Sequence, residues 1–482
     1  MRKPRIAFFV HTPLRDLPGT VLTAYELCQR GADCFIVEQK DGFGEIWAIA
    51  PDFVMLPAFR EYYAPRVQQY VDAGILFGLS DSEGVIWSSM EEYHNTLWKD
   101  GTLSKKASCV CMWGKTPADY VVANGIFESK QVFVTGCPRF DFYSGSHASI
   151  YPVSLEKNRG KKNGKLNRKY ILINTNFTNG NYLDLPMDVH AERYAANYGG
   201  SLDDVLRMCR KDRKAVEIVS EMACRLAADF PDIDIIIRPH PQEHIEPYQE
   251  NTQKISNLYV ERSGSVTPWI LNASAVIQRS CTTAVEATLA GIPAISPQWI
   301  GFSQYYPIPE SVSVQSPDYD HLKATLKSIL AGDFQTPAEI ETNLKSLISE
   351  WFHKNDGLSH KRVAEAILST LSSERRLDRK KCVKFLYGLN KLRPIRKGSF
   401  GNILRYGLGL STNWTLPQLR RPNGTKEKHQ SQRREWISEL VKGITAAKVD
   451  ENPKQVNVLS AREHSDYTPR EYSGGTIVMY CE

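Results

Sequence analysis

Short, uninterrupted apolar runs alternate with segments of helical period twice along the chain, and that alternation leaves few architectures open. The first series begins with "RIAFFV", passes through "HTPLRDLPGT" into a helical stretch and leaves through "DCFIV". It continues with "PDFVMLP", a helix around "YAPRVQQYVDAG", "ILFGL", "ASCVCMWG", a helix over "TPADYVVANG" and "QVFVTG". Strands that are apolar throughout and separated by helices belong to a parallel sheet covered on both faces. The second series opens at "KYILINTNF" and runs through "KAVEIVSEMACRLAADF", "DIDIIIRPHP", "NLYVE", "VTPWILNA", "AVIQRS", "TTAVEATLAG" and "IPAIS". Between them, "SGSHASIYPVSLEKNRGKKNGKLNRK" is rich in Ser, Gly, Lys and Asn and has the character of a linker. The fold class expected is α/β: two Rossmann-like, doubly wound domains facing one another across a cleft. The first covers residues 1–143, a linker 144–169 and the second 170–372, with a basic helical extension over 373–482.

A chain of 482 residues is too long for one ordinary core. Its longest apolar runs are far too short to cross a bilayer, and "MRKPR" leads into a strand without a cleavage-site pattern, so a cytoplasmic protein is expected. None of the ten cysteines has metal-ligand or disulfide spacing, and they are read as reduced core thiols. The net charge of +6 is unevenly spread. Residues Arg375 to Arg434 hold 17 Lys and Arg against Asp378 and Glu427, so the rest of the chain is net acidic. Cations interleaved with Phe385, Leu386, Tyr387, Leu389 and Leu392 suit an anionic membrane surface, and equally a solvated helical face. No nucleic-acid motif accompanies the charge, so nucleic acid is not an expected partner. Peripheral attachment at the inner face of the plasma membrane is the corresponding expectation for location.

Open α/β sheets bind ligands at the carboxyl ends of their strands, and residues with chemistry gather there. In "AVIQRSCTTAVEATLAGIPAIS" a strand ends near Gln278, a turn holds Ser280, Cys281, Thr282 and Thr283, and a helix opens at about Thr283. Free backbone N–H groups and hydroxyls converging on a helix start suit a phosphate. Glu286 stands one turn later, where a carboxylate would meet ribose hydroxyls; the same pattern also fits a capping box. In "IIIRPHPQEH" three isoleucines form a buried strand, from whose end Arg238 and His240 emerge, each followed by a proline that stops the strand and stiffens the turn.

The Ser/Thr turn, the glutamate on the next helical turn and "LAGIPAI" resemble the nucleotide-binding element of GT-B-fold glycosyltransferases. Taken with "RPHP" and "VTGCPRFDF", the stretch "GSVTPWILNASAVIQRSCTTAVEATLAGIPAIS" resembles the bacterial surface carbohydrate biosynthesis proteins. That family is related to the Kdo-transferase, polysialyltransferase and polyglycerolphosphate-transferase groups. The resemblance covers about residues 1–330 and leaves out the tail beyond about 375. It implies that His240 contacts the donor phosphate and assists departure of the leaving group, with Arg238 adding charge nearby.

An acceptor hydroxyl attacking a sugar must lose a proton, which calls for a base. The related groups use an acidic pair followed by glycine. In "ILFGLSDSEGVIW" the pair is degenerate, with Ser82 in its first slot, so Glu83 is favoured as base and Asp81 is its rival. On the acceptor side the resemblance places His11 and Thr20, the latter with Gly19 in a loop ahead of the first helix, and Arg139, with which Asp141 would pair. Asn174 and Asn176 end the first strand of the second domain and suit a phosphate or hydroxyl. Glu261 and the loop Ser263 to Ser265 suit a nucleobase grasped through backbone groups.

The expected activity is metal-independent transfer of a CMP-activated, Kdo-like or nonulosonic sugar to a saccharide or lipid-linked acceptor, with no cofactor beyond the nucleotide-sugar substrate. A CDP-glycerol-type glycerophosphotransferase, a UDP-sugar epimerase and a non-catalytic scaffold of a polysaccharide-synthesis complex remain the alternatives.

Overall fold

The apolar runs of the first series become strands β1 (Arg5–Val10), β2 (Asp33–Glu38), β3 (Phe53–Leu56), β4 (Leu76–Ser80), β5 (Cys109–Met112) and β6 (Val132–Val134). They pair in parallel in the order β2-β1-β3-β4-β5-β6, with Ile6 opposite both Cys34 and Phe53. This is a computed structural model, and it describes residues 3–38, 46, 49–60, 63–83, 89–97, 101–150, 169–198, 200–250, 252, 255–303, 305–373, 423–446, 454–460 and 477–481.

Helix α1 (Pro13–Gln29) follows β1 directly and already contains Gly19 and Thr20. The expected loop ahead of the helix is therefore eight residues shorter than predicted. Pro13 supplies a fixed φ and no N–H at the first helical position, and the Asp16 carboxylate takes the Thr12 N–H at 3.0 Å. Gly19 serves packing: a Cβ there would lie 2.7 Å from the Arg139 backbone nitrogen, so only glycine lets the 3-10 segment Pro138–Tyr143 cross so near the helix.

The second series forms β7 (Tyr170–Asn174), α2 (Met187–Tyr198), α3 (Leu202–Asp229), β8 (Asp234–Arg238), β9 (Leu258–Val260), β10 (Ala275–Ile277), α4 (Thr283–Leu289), β11 (Ala294–Pro297) and β12 (Val314–Ser316). Its strands are all parallel, in the order β12-β11-β10-β7-β8-β9. Ile171, Ile173, Ile235, Ile237, Ile277 and Ile295 pack with Val216, Val219, Ala223 and Leu226 of α3. Each of these isoleucine, valine and leucine side chains contributes about 1.5–3 kcal/mol by leaving water. Ser201 caps α3 by accepting the Asp204 N–H, with Asp203 and Asp204 in the positive first turn. Strand β12 was not among the predicted elements; three residues with only one buried carry no readable pattern.

The two domains divide differently from the expected boundaries. Residues 1–84, 89–150 and 348–482 form one unit, and 85–88 with 151–347 form the other. Helix α5 (Ser359–Ser373), assigned by sequence to the second domain, packs on α1 of the first. Residues Gly145–Ile150, expected in the linker, form a 3-10 segment of the first unit, while 151–168 lie outside the described residues. Helix α6 (Asn423–Ala446) takes up part of a stretch expected to start as flexible chain. It lays Ile437, Leu440, Val441 and Ile444 against the first unit. Strands β13 (Val456–Ser460) and β14 (Ile477–Cys481) extend the first sheet antiparallel beyond β2, in a region whose sequence carried no prediction.

Candidate active site

In the first unit the chain passes from β1 to β2 on one side and to β3 on the other, so the carboxyl ends of β1 and β3 flank a switch point, where such sheets bind ligands. A cavity of about 60 Å³ lies there, lined among others by Asp16, Thr20, Pro57, Asp81, Ser82 and Arg139. Asp81 is 2% exposed. Its carboxylate accepts the Glu83 N–H at 2.9 Å and the Tyr93 hydroxyl at 3.0 Å, with Arg60 at 3.5 Å, while the Trp113 indole donates to its carbonyl at 2.6 Å. Burial raises the Asp81 carboxyl, against the opposing pull of Arg60. Glu83 is more open, with 27% of its side chain exposed, and is paired with Arg15 at 3.2 Å and Arg60 at 3.6 Å. Burial alone would raise it, but those two guanidinium groups bring it below the ordinary value, with His11 adding to the same field.

The acceptor-side residues sort as follows. Thr20 donates to the Asp16 carbonyl at 2.9 Å within α1 and still borders the cavity. Arg139 borders it too, stacked 4.6 Å from the centre of the Phe140 ring. His11 is exposed just past β1. The expected Asp141–Arg139 pair is not what Asp141 makes: its carboxylate accepts the N–H groups of Ser359 (3.0 Å) and His360 (2.8 Å) and bonds His360 Nδ1 at 2.8 Å. Asp141 thereby caps α5, whose free N–H groups need an acceptor.

In the second unit the switch point lies between β7 and β10. Asn174 ends β7 opposite Arg238 of β8, and the turn after β10 carries Ser280 to Thr283. Asn174 is 4% exposed, and neither its amide nitrogen nor its oxygen has a hydrogen-bond partner; the buried Thr283 hydroxyl oxygen has none either. Arg238 is 7% exposed and donates to the carbonyls of Ser263 (2.9 Å) and Gly264, without a carboxylate among its hydrogen bonds. Burial lowers its pKa to about 10, so it remains a cation at neutral pH.

The turn after β10 is strained and held. Ser280 has φ +48°, a region unfavourable for a residue with a Cβ. Glu310 accepts its N–H at 2.7 Å and also bonds Arg279 at 2.9 Å and Ser296 at 2.7 Å, all buried. The Cys281 N–H goes to Gln278 at 2.7 Å, and burial raises the Cys281 thiol. Helix α4 opens at Thr283 as predicted; Thr282 makes no side-chain cap bond, so the capping-box alternative is not formed. Glu286 is buried, 4% exposed, rather than displayed.

Asn176 and His240 are half-buried, and Ser263 is exposed with its N–H on Glu261 at 2.7 Å. The Ser265 hydroxyl is engaged with Thr267 at the start of the short helix Thr267–Leu271, which leaves the backbone groups of the Ser263 to Ser265 loop as the ones expected to meet a nucleobase. A further chain lies in the same unit: His190 Nε2 meets Asn179 Oδ1 at 3.3 Å, Asn179 donates to Ser303 at 3.0 Å, and Ser303 donates to Asp212 at 2.8 Å. Burial raises Asp212 to about 6, although Ser303 and Asn179 bond it.

Arg15, Arg60, Glu310 and Asp212 are site-building residues that sequence reasoning missed. Each acts across loops distant in the chain, and no local spacing marks any of them. Among the described residues, no group of three or more His, Cys, Asp or Glu is placed to hold a metal ion. No described helix is long and apolar enough to cross a membrane.

No family profile matches the sequence, and no curated protein matches it. Among solved structures, the chain is similar to the wall teichoic acid polymerase TagF, with a TM-score of 0.51 and 9% identity over 77% of this chain and 90% of that one. It is also similar to the UDP-GlcNAc 2-epimerase from Neisseria meningitidis bound to UDP-GlcNAc, with a TM-score of 0.46 and 12% identity over 76% of this chain and 100% of that one. At 9% identity the likeness to TagF is one of fold. The chain has the GT-B fold, built from two Rossmann-like α/β domains.

Proposed function

We propose that this chain is a transferase of bacterial surface polysaccharide assembly that takes a cytidine-activated donor, a CMP-linked Kdo-like or nonulosonic sugar, and passes the sugar to a saccharide or lipid-linked acceptor. The observation that carries the reading is a set of incompletely paired polar groups in the second unit. A buried arginine without a hydrogen-bonded carboxylate, an amide with both ends unpaired and an unpaired hydroxyl stand at neighbouring strand and helix ends. Such groups cost stability unless a ligand completes them, and an anionic, hydroxyl-bearing ligand matches their chemistry.

In this reading Arg238 and His240 meet the charge that grows on the departing phosphate, and no metal is required. Glu83, the more exposed acid, takes the acceptor's proton, while Asp81 holds the Glu83 N–H and sets the loop. The arginines beside Glu83 weaken it as a base, so the acceptor's approach must displace part of that pairing before the proton moves. A glycerophosphotransferase is the second reading, favoured by the structural likeness to a wall teichoic acid polymerase.

Thermal-shift titration with CMP, CDP and UDP tests the proposal. CMP should stabilise the chain and His240→Ala should lose most of the effect. Stabilisation by CDP with none by CMP moves the assignment to the glycerophosphotransferase. Stabilisation by UDP alone, or by none of the three, refutes cytidine-donor binding.

A further inference from the structure

Glu243 is 0% exposed, yet its carboxylate is ringed by donors. Thr175 Oγ1 lies 3.0 and 3.1 Å from its two oxygens, the Phe177 N–H donates at 2.9 Å, and the Tyr248 hydroxyl donates at 2.5 Å. Two of these donors belong to the segment after β7, and the third to the short helix Glu246–Glu250. Arg262, just past β9, donates to the Glu243 carbonyl at 2.5 Å. One residue thus ties together the segments that leave β7, β8 and β9.

The main chain of Glu243 closes the turn that carries His240. Its N–H donates to the His240 carbonyl at 2.9 Å, and within the turn the Gln242 N–H points at His240 Nδ1, 3.2 Å away. The flanks are stitched to the segment after β7: Tyr182 pairs with Glu243 in an antiparallel bridge, and Leu183 N–H donates to the Gln242 carbonyl at 2.8 Å. A backbone N–H directed at Nδ1 requires a lone pair there, so the neutral imidazole carries its proton on Nε2.

We propose that Glu243 is a positioning residue: by anchoring the turn 240–243 it fixes His240 in the tautomer protonated at Nε2, so that the ring offers an N–H, and not a lone pair, to a phosphate oxygen of the donor. The proposal rests on the reading of the second unit as a nucleotide site, and names the form in which its histidine serves. A carboxylate suits the anchor because every group aimed at it is a donor. A glutamine would set one N–H against Phe177 N–H or the Tyr248 hydroxyl.

The test is ¹⁵N spectroscopy of the histidine rings in the full chain at about pH 8, above the ordinary histidine value, with His240 assigned by the signal lost in His240→Ala. The wild type should show well-separated Nδ1 and Nε2 shifts of a single tautomer. In Glu243→Gln they should converge, and calorimetric affinity for CMP should fall by about tenfold. Unchanged shifts and affinity, even with a lower melting temperature, would make Glu243 a packing group and overturn the proposal. If that variant does not fold, Thr175→Val removes the donor to both carboxylate oxygens at nearly constant volume. It should shift the ring nitrogens in the same direction, and wild-type shifts there overturn the proposal equally. Failure of the wild type to bind CMP would sink the donor assignment instead, while the ring shifts still decide the tautomer.

Discussion

A buried amide with neither end satisfied costs a folded chain about 1–3 kcal/mol, and Asn174 is such a group. Asn174→Leu, similar in size, should therefore leave the melting temperature of the nucleotide-free chain unchanged or higher while CMP affinity falls at least about tenfold; a loss of stability without loss of affinity would show the amide to be structural. Asp212 gives a second test. Its folded pKa of about 6 exceeds the ordinary aspartate value, so the folded chain holds a proton that the unfolded chain releases. Stability from this group is present below about pH 4 and lost as pH rises to about 6, on the order of 3 kcal/mol. Asp212→Asn should gain on the wild type across that window in urea unfolding, and parallel pH profiles would contradict it. Glu83→Gln should abolish turnover with CMP binding intact, whereas full activity would hand the role of base to Asp81. At this scale the sequence showed which residue types end the strands: Asp81, Glu83, Arg238 and His240 all stand where strand-end chemistry predicted. Their partners were illegible, because Arg15 reaches Glu83 over 68 residues and Glu310 reaches Ser280 over 30.

Elements were legible in proportion to their length and regularity. β1 and β7 begin and end almost where their apolar runs do, and α4 opens at the predicted threonine. The crossing of α5 to the first unit was not legible, since a helix's own stripe does not name the surface it will cover. Asp141 supplies the missing information by accepting three hydrogen bonds at the start of α5 from 218 residues away. Removing it with Asp141→Ala should cost about 3 kcal/mol in urea unfolding, through stranded donors as much as through lost bonds. In α6 the buried residues 437, 440, 441 and 444 follow helical spacing, but the polar stretch before them, "RPNGTKEKHQSQRREW", hid the start of the element. Ile444→Ala, at a fully enclosed position, should cost about 2–4 kcal/mol in the same measurement, and a cost near zero would mean that α6 does not dock.

For the whole molecule, the separation into two α/β domains and the parallel order of their strands followed from the alternation of runs, whereas the tail's share in the first domain did not. This changes how membrane attachment must be tested. Residues 374–422, which carry most of the basic excess, lie outside the described residues, but α6, β13 and β14 beyond them belong to the first unit. Truncation before Arg375 would strip that unit of a docked helix and two strands, and lost vesicle binding would then report misfolding. Replacing Lys and Arg between 375 and 405 by Gln leaves the docked elements in place. The substituted chain should keep its melting temperature and lose co-sedimentation with anionic vesicles, and undiminished binding would remove the membrane from the account.

The pairing of β14 with β2 also bears on biosynthesis. Ile477, Val478 and Met479 of β14 pair with Ile36, Phe35 and Cys34 of β2, so β2 waits with one flank bare until these distant residues have been translated. During that interval the nascent polypeptide presents an open strand edge, the kind of surface on which wrong partners assemble and holdase chaperones act. Ribosome-bound intermediates of this protein should depend on such protection until the closing strand emerges from the exit tunnel.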